Sequence, residues 1–302
     1  MRFKYRFLLL AVIAFIIICS LLYFDQGASS QEFSLRISYI DVGQGDSALI
    51  QTYDGYNILI DGGPIAAGPA VLAFLRSQGI TELSAIIASH PDSDHIGGLM
   101  DVLAASDIQV DSVIYSGYPG DTQTWSHFVS AVDAEGLEFT IAQFPGELHW
   151  GTTSVYVLNP PSGLIDPATN AASLVLLIDH FEVDTLFTGD IDSTVEAQVI
   201  ARQTPVAAEI LKVAHHGSNY GTSAEFLEAV QPMDAVISVG TNPYGHPGAE
   251  TLSRLYASGA SVWRTDLNGT ILVSSPDGLT YQVIATKTWQ DVYLPVVIVN
   301  AP

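Results

Sequence analysis

The chain has 302 residues, and 48% of them are apolar, so its composition permits a sizeable core and is not that of a disordered protein. Its charge is strongly acidic, with 10 basic residues against 32 acidic ones. Three of the basic residues precede position 7, and the seven that remain disfavour an extended basic groove for nucleic acid. The only cysteine, Cys19, excludes an intrachain disulfide and a cysteine metal site, so a metal site must use His, Asp and Glu.

The first 30 residues predict a membrane anchor or a signal segment. The basic stretch 1–6 is followed by residues 7–24, which carry no charged side chain and have about the minimum length for crossing a bilayer. The length favours an uncleaved anchor slightly over a signal peptide cleaved within residues 26–30, and the basic flank disfavours a buried core helix. Because the basic end is expected to stay in the cytoplasm, residues 31–302 are expected outside it, anchored to the cell membrane or secreted.

Short apolar runs separated by Gly, Pro and Asp follow from residue 33 and predict strands alternating with helices. The predicted strands lie within 34–42, 47–53, 56–63, 83–90, 111–117, 139–144, 154–160, 173–181, 184–190, 209–218, 235–240, 261–266, 269–275 and 280–285. The predicted helices cover 69–78, 96–106, 194–202 and 223–230. This order predicts an α/β layered domain over residues 31–287, followed by a tail, residues 288–302, whose role the sequence does not explain.

Four side chains of the types that bind metals lie within six residues, at His90, Asp92, Asp94 and His95. The segment leaves an apolar strand at His90, and a loop can curl its side chains around one point, whereas a strand would divide them between two faces. Imidazole nitrogen and carboxylate oxygen are common ligands of zinc, manganese and iron. The alternative is a solvated acidic turn with two incidental histidines.

Other polar side chains stand next to glycine where predicted strands end, at Asp61, Asp190, His215, His216 and His246. Taken alone, each is equally compatible with a turn or a surface position. Together they predict a site built from several strand ends at one edge of a sheet. Three further histidines lack this setting and are predicted to be surface or core residues: His127, His149 and His180.

The order LIDGG, SHPDSDHIGG, LFTGD and HHGS resembles the metallo-β-lactamase superfamily, whose pattern is His-x-His-x-Asp-His with later Asp and His ligands. The stretches YIDVGQGDSALI, LKVAHHGS and ISVGTNPYGHP resemble more narrowly the extracellular hydrolase domain of ComEC-type DNA-uptake competence proteins. The resemblance covers residues 35–273 and implies a four-layer αβ/βα sandwich. Its motifs are highly specific for the fold and much less specific for the substrate.

The resemblance implies a centre for one or two divalent metal ions, with zinc as the expected ion and manganese as the alternative. His90 and Asp92 would bind one ion, Asp94 and His95 would bind a second, and Asp190 would bridge the two. The first site departs from the family, because Asp92 stands where many members have histidine. A third histidine is also missing there, since Thr169-Asn170 occupy its place before Ser173. More oxygen ligands shift the preference towards harder ions such as manganese.

One of His215 or His216 would complete the second site. Only one of them is expected to bind metal, because neighbouring residues on an extended segment point in opposite directions. Asp61 would not bind metal itself but would orient the loop 90–95 that carries the ligands. Asp94 and His246 are the expected catalytic residues. His246 and the non-ligand member of the pair His215 and His216 are candidates to contact the oxygen that gains charge or to protonate the leaving group.

The resemblance implies hydrolysis by a metal-bound hydroxide, formed from water whose pKa falls from about 16 towards 7 on zinc. The leading hypothesis is a phosphodiesterase acting on a small or polymeric phosphodiester, with a nuclease-like activity as its narrower form. The few basic residues disfavour nucleic acid as the partner. The alternatives are an esterase on envelope phosphorylcholine, another ester or lactam hydrolase and, least favoured, a non-catalytic binding module that keeps the fold.

Overall fold

The computed structural model describes residues 34–164 and 168–287. The predicted membrane segment, the start of the predicted domain and the tail 288–302 lie outside the described residues, and so do the three residues 165–167. Within the described ranges, no helix is both long enough and apolar enough to cross a membrane.

The described residues form strands β1 to β17 and helices α1 to α8. The strands are β1 Leu35–Tyr39, β2 Ala48–Thr52, β3 Asn57–Ile60, β4 Glu82–Leu83, β5 Ala85–Ala88, β6 Gln109–Val110, β7 Val113–Tyr115, β8 Phe139–Ile141, β9 Gly146–Trp150, β10 Thr153–Asn159, β11 Val175–Asp179, β12 Thr185–Phe187, β13 Ile210–Lys212, β14 Asp234–Ile237, β15 Ser261–Arg264, β16 Ile271–Ser275 and β17 Gln282–Ala285. The helices are α1 Gly68–Ser77, α2 Ser93–Ile96, α3 Leu99–Leu103, α4 Gln123–Ala134, α5 Ser193–Ala201, α6 Ala224–Val230, α7 Ala249–Ser258 and α8 Thr265–Asn268.

Two mixed sheets contain most of the strands. The first has eight strands in the order β17-β16-β1-β2-β3-β5-β7-β8, and the second has seven in the order β15-β14-β13-β12-β11-β10-β9. The strands β4 and β6 form a separate, two-stranded parallel sheet. The strands β11 and β12, which lie within the predicted strand ranges 173–181 and 184–190, pair antiparallel.

Three layers of buried apolar side chains show how the sheets and helices stack. The central layer joins the two sheets and includes Ile50 of β2 and Ile178 of β11. Leu49, the neighbour of Ile50, points to the opposite face and packs against α1 and α4, because side chains alternate along a strand. The second sheet packs its outer face against α5, α6 and α7 through residues such as Phe226. The predicted four-layer αβ/βα sandwich is therefore confirmed.

Parallel pairing brings the predicted site residues to one edge of the sandwich. In the first sheet β3 runs parallel to β5, and in the second β12 runs parallel to β13. Asp61 and His90 follow the ends of β3 and β5, whereas Asp190 and His215 follow the ends of β12 and β13. Each sheet thus contributes two strand ends to the same site.

The helix predicted over 96–106 is divided by Gly97 and Gly98 into the short helices α2 and α3. The glycines are required by close packing, since a Cβ on Gly98 would lie 2.0 Å from the carbonyl oxygen of Gly62. The segment that carries Asp94 and His95 is therefore held directly against the turn after β3. Part of the predicted metal loop, from Ser93 onward, is helical.

Three helices, α4, α7 and α8, were not predicted, and α8 begins within the predicted strand 261–266. In α4 the buried side chains Trp125, Phe128 and Val132 follow helical spacing, and the Thr122 side chain caps the first turn by accepting a hydrogen bond from the Trp125 N–H. The signal for α4 was therefore present in the sequence.

Candidate metal centre

A buried carboxylate, Asp190, lies at the point where the two sheet edges meet. Three histidine rings direct their Nε2 atoms towards it. The distances are 3.3 Å from His95 Nε2 to Asp190 Oδ1, 3.5 Å from His216 Nε2 to Oδ2, and 3.9 Å from His90 Nε2 to Oδ2. Side chains from two other parts of the chain, the segment 90–95 and His216, thus converge on one carboxylate.

The atoms that face this centre have no hydrogen-bond partner. The Nε2 atoms of His90, His95 and His216 and the Oδ1 atom of Asp190 are all buried and unsatisfied. Buried polar atoms are rarely left unpaired, so a cluster of four that converge on one point indicates a cation-binding site. The donor set of imidazole nitrogen and carboxylate oxygen fits a divalent ion such as zinc or manganese.

The described residues contain four overlapping groups of possible ligand atoms, two of which include Asp46. His90, His95 and Asp190 make one group and Asp94, His95 and His216 make another, with the atoms of each group within 4.8 Å of one another. Asp94 Oδ2 lies 3.3 Å from His216 Nε2. Because the carboxylate of Asp190 faces His90 on one side and His95 with His216 on the other, the side chains can be divided between two adjacent ions.

The carboxylates make the centre attractive to positive charge. Burial acts to lower the pKa of His95, but Asp190 and Asp61 outweigh it and raise that pKa well above its usual range. Burial acts to raise the pKa of Asp190, but His216 and His95 outweigh it and hold that pKa well below its usual range. Protons on the histidines or a bound metal ion would equally compensate the negative charge of these carboxylates.

Asp92 lies at the more open side of the centre. Its Oδ2 atom is 3.7 Å from His90 Nε2. Burial alone would raise the pKa of Asp92, but the contact with His90 and a hydrogen bond from Thr169 lower it overall. Thr169 stands where the family pattern has its missing histidine, and here it contacts the carboxylate of Asp92 instead.

The backbone of His215 and His216 is not extended, which corrects a premise of the sequence analysis. Both residues have left-handed conformations, with φ of 49° and 52°. Consequently both rings reach Asp190, with His215 Nε2 at 3.7 Å from Oδ2. His216 is buried, and its Nδ1 donates to the carbonyl oxygen of Ser238 at 2.9 Å, which leaves Nε2 free to bind a cation. The geometry favours His216 as the ligand, while the half-exposed His215 faces the cavity described below.

Asp61 holds the ring of His95 from behind. Its Oδ2 atom accepts a hydrogen bond from His95 Nδ1 at 2.8 Å, so the opposite nitrogen points to the centre. The backbone N–H and the hydroxyl of Ser89 also donate to Asp61, at 2.8 and 2.6 Å. This contact fixes both the orientation and the tautomer of His95.

The sequence analysis did not assign two buried charged residues beside the centre, Asp46 and Lys212. Lys212 is only 2% exposed, and its Nζ lies 2.6 Å from Asp46 Oδ2. Asp46 Oδ1 in turn lies 3.3 Å from His216 Nδ1. Burial would raise the pKa of Asp46, but Lys212 and His216 outweigh it and hold that pKa below its usual range. A single lysine within the apolar strand EILKVA, and an aspartate beside glycine in GQGD, were the available signals.

An open cavity of about 440 Å³ adjoins the centre. Asp94, Asp190 and His215 form part of its wall, and His246 lies on the same wall. The ring of His246 is centred 5.4 Å from that of His215, and its buried Nδ1 has no hydrogen-bond partner. His246 belongs to none of the ligand groups found among the described residues, so the structure places it beside the centre but not in it.

The three histidines left outside the site lie away from it. His127 is exposed on α4, and His149 is exposed on β9. His180 is buried and bonded to the hydroxyls of Ser34 and Thr153, at 2.7 and 2.8 Å.

Comparison with known proteins gives consistent matches. The sequence model of the metallo-beta-lactamase superfamily matches residues 40–241. ComE operon protein 3 of Bacillus subtilis is 33% identical over 255 residues, which cover 78% of this chain and 32% of that protein. Recombination protein 2 of Haemophilus influenzae is 31% identical over 260 residues, covering 83% of this chain and 30% of that protein. The chain therefore spans about a third of the length of these relatives.

Solved structures support the same fold. Tm1679, a metal-dependent hydrolase of the beta-lactamase superfamily, superposes with a TM-score of 0.52. The match covers 80% of this chain and all of the other, at 15% sequence identity. At that identity the likeness concerns the fold alone.

We predict that Asp190→Ala removes most bound metal, because Asp190 faces both ligand groups. His90→Ala should retain more metal, since Asp94, His95 and His216 stay in place. The measurement is metal content after reconstitution with zinc and, separately, with manganese, on protein whose folding is checked by circular dichroism. His149→Ala and Asp121→Ala, at exposed positions, serve as matched controls. Loss of all metal in His90→Ala with retention in Asp190→Ala would show that the two sites are wrongly assigned.

We also predict that Lys212→Met destabilises the metal-free protein by about 3–5 kcal/mol, because it leaves the buried carboxylate of Asp46 without its partner. The double variant Asp46→Asn with Lys212→Met should be more stable than Lys212→Met alone, since no unpaired charge remains. Urea unfolding measures both. Arg76→Met, which breaks an exposed ion pair with Asp107, should have a much smaller effect. A double variant less stable than Lys212→Met would refute the pairing argument.

Proposed function

This chain belongs to the metallo-β-lactamase superfamily of metal-dependent hydrolases, and we propose that it hydrolyses a phosphodiester in the cavity beside the metal centre. The observation that carries the proposal is that the carboxylate of Asp190 faces two adjacent sets of possible ligand side chains. Two adjacent cations can stabilise both the attacking and the leaving oxygen of an in-line displacement at phosphorus. Such an arrangement suits phosphoryl transfer to water.

The candidate ligand residues fall into two sets, one for each ion. His90 and Asp92 would hold one ion, and Asp94, His95 and His216 would hold the other. Asp190 faces the histidines of both sets and would serve both ions. When bound, the ions supply Lewis-acid activation of water and stabilise charge on the phosphoryl oxygens. Asp61 keeps His95 in the required orientation through its hydrogen bond to Nδ1.

His246 is proposed to act on the substrate and not on the metal. Its ring lies on the cavity wall next to His215, and its Nδ1 atom is unpaired. The backbone N–H of His246 donates a hydrogen bond of 3.0 Å to Asn242 Oδ1, which holds the loop that carries His246. From this position the imidazole can contact a phosphoryl oxygen or transfer a proton to the leaving group.

The name of one relative, Recombination protein 2, refers to a process on DNA, which is a phosphodiester polymer, and so favours a phosphodiester over a β-lactam. Recombination protein 2 and ComE operon protein 3 are similar to this chain over most of its length. The replacement of the third histidine by Thr169 also separates the first site from the pattern of the family's histidine-rich members. Action on DNA is the narrower form of the proposal. It has less support, because only seven basic residues lie after position 6 and the chain spans about a third of those relatives.

We predict that metal-reconstituted protein hydrolyses bis(p-nitrophenyl) phosphate, loses this activity with a chelator and regains it when zinc or manganese is restored. His246→Ala should lower kcat by roughly 10²- to 10⁴-fold, the usual contribution of a positioned proton-transfer group, while metal content stays normal. His149→Ala should behave as the unmodified protein. A chromogenic β-lactam and p-nitrophenyl phosphorylcholine are assayed in parallel. Faster turnover of the β-lactam than of either phosphodiester, or no hydrolysis by fully loaded protein, would contradict the proposed substrate class.

We further propose that the domain lies outside the cytoplasm. The support is the basic stretch 1–6 ahead of the uncharged residues 7–24. Protease added to spheroplasts should degrade the domain, and a cytoplasmic protein in the same sample should stay intact. Complete protection of the domain until the membrane is lysed would refute this location.

A further inference from the structure

We propose that Tyr220 and Tyr244 form an aromatic clamp that holds a planar ring of the substrate next to the scissile phosphate. The inference rests on the proposed phosphodiesterase activity and names the class of substrate: a phosphodiester that bears a nucleoside. Neither tyrosine belongs to the metal centre, and neither was singled out by the sequence analysis.

Exposure and location together single out the two residues. Tyr220 is 80% exposed and Tyr244 is 71% exposed, which makes them the two most exposed large hydrophobic side chains of the described residues. Both line the same cavity, the one that contains Asp94, Asp190 and His246. Large apolar side chains left in water are individually unremarkable, but two at the rim of one polar cavity indicate a binding surface.

The backbone around Tyr220 is held by hydrogen bonds, although the side chain of Tyr220 is exposed. The backbone carbonyl of Tyr220 accepts a hydrogen bond of 2.8 Å from the Ser193 N–H. Its own N–H donates to the Ser218 hydroxyl at 3.3 Å. Arg254 Nη2 donates to the carbonyls of Asn219 and Gly221, on either side, at 3.1 and 2.8 Å. The aromatic ring is therefore presented on a fixed backbone.

The loop of Tyr244 is organised by one side chain, Asn242. The Oδ1 atom of Asn242 accepts hydrogen bonds from the N–H groups of Tyr244 and His246, at 3.1 and 3.0 Å. Its Nδ2 donates to the carbonyls of Gly240 and His246, at 2.8 and 2.9 Å. This holds Tyr244 beside His246, with ring centroids 5.8 Å apart and planes inclined by 35°.

The chemistry of the cavity wall favours a neutral, flat group. No lysine or arginine is found among the described residues that line it, so groups beyond the scissile phosphate must be held without basic side chains. Tyrosine faces stack on nucleobases and retain affinity for any base, because every base has a π-face. The ring of Tyr244, inclined by only 35° to that of His246, offers a broad face suited to a planar ring. A quaternary ammonium, by contrast, is best held by rings on several sides.

The test compares three p-nitrophenyl phosphodiesters that share a leaving group and differ in the other ester: thymidine, choline and methyl. We expect Tyr220→Ala and Tyr244→Ala each to raise KM for the thymidine ester by roughly fivefold to hundredfold, the loss of one stacking contact. The methyl ester should change little, and kcat and metal content should be preserved. Tyr220→Phe and Tyr244→Phe should behave as the unmodified protein. Tyr256→Ala, at an exposed tyrosine on α7 outside the cavity, is the matched control.

Binding of thymidine monophosphate to the metal-loaded protein, measured by calorimetry, gives a readout that does not need turnover. The Kd should rise in the two alanine variants by a factor similar to that in KM. Equal effects on all three esters, a larger effect on the choline ester, or unchanged binding of thymidine monophosphate would overturn the clamp. Failure of the proposed function looks different, because the unmodified protein would then hydrolyse none of the esters.

Discussion

The carboxylate of Asp190 is the group on which the site depends. It is buried where the two sheets meet, and the three histidine nitrogens that face it make no hydrogen bond. An arrangement with so many unsatisfied buried atoms is costly unless a cation satisfies them. The parallel pairs β3 with β5 and β12 with β13 place those atoms at the same edge, one pair from each sheet. The same strand arrangement that defines the fold therefore also builds the metal centre.

A layer of charged residues behind the ligands fixes their orientation. Asp61 holds His95 at Nδ1, and the Ser238 carbonyl holds His216 at the corresponding atom, so in both rings Nε2 is directed inward. Asp46 adds negative charge close to His216, and buried Lys212 compensates it. Such outer contacts tune a metal site by setting tautomers and limiting ring motion. They also explain why a buried lysine is tolerated in an otherwise apolar strand.

The cavity wall combines acidic side chains next to the metal centre with aromatic rings farther out. The chain carries a formal charge of −22, and metal ions bound among the aspartates would be the local source of positive charge for a phosphate. Beyond the scissile group, the wall offers tyrosine and histidine rings. Recognition would therefore combine a charged contact at phosphorus with stacking farther out. A small substrate with a single phosphodiester fits this balance better than a long polyanion.

The sequence by itself determined the layered α/β fold, because strand alternation, helical spacing and glycine at strand ends are local signals. It also determined the residue types that gather at the metal centre, since the motifs around His90, Asp190 and His215 place ligand atoms at strand ends. Only the tertiary structure decided that both His215 and His216 reach Asp190, because their left-handed backbone leaves no mark in the residue types. Two further features bring together segments distant in sequence. They are the ion pair of Asp46 with Lys212 and the position of Tyr220 and Tyr244 on the wall of one cavity. Contacts of that kind depend on how the two sheets pack, which no local pattern encodes.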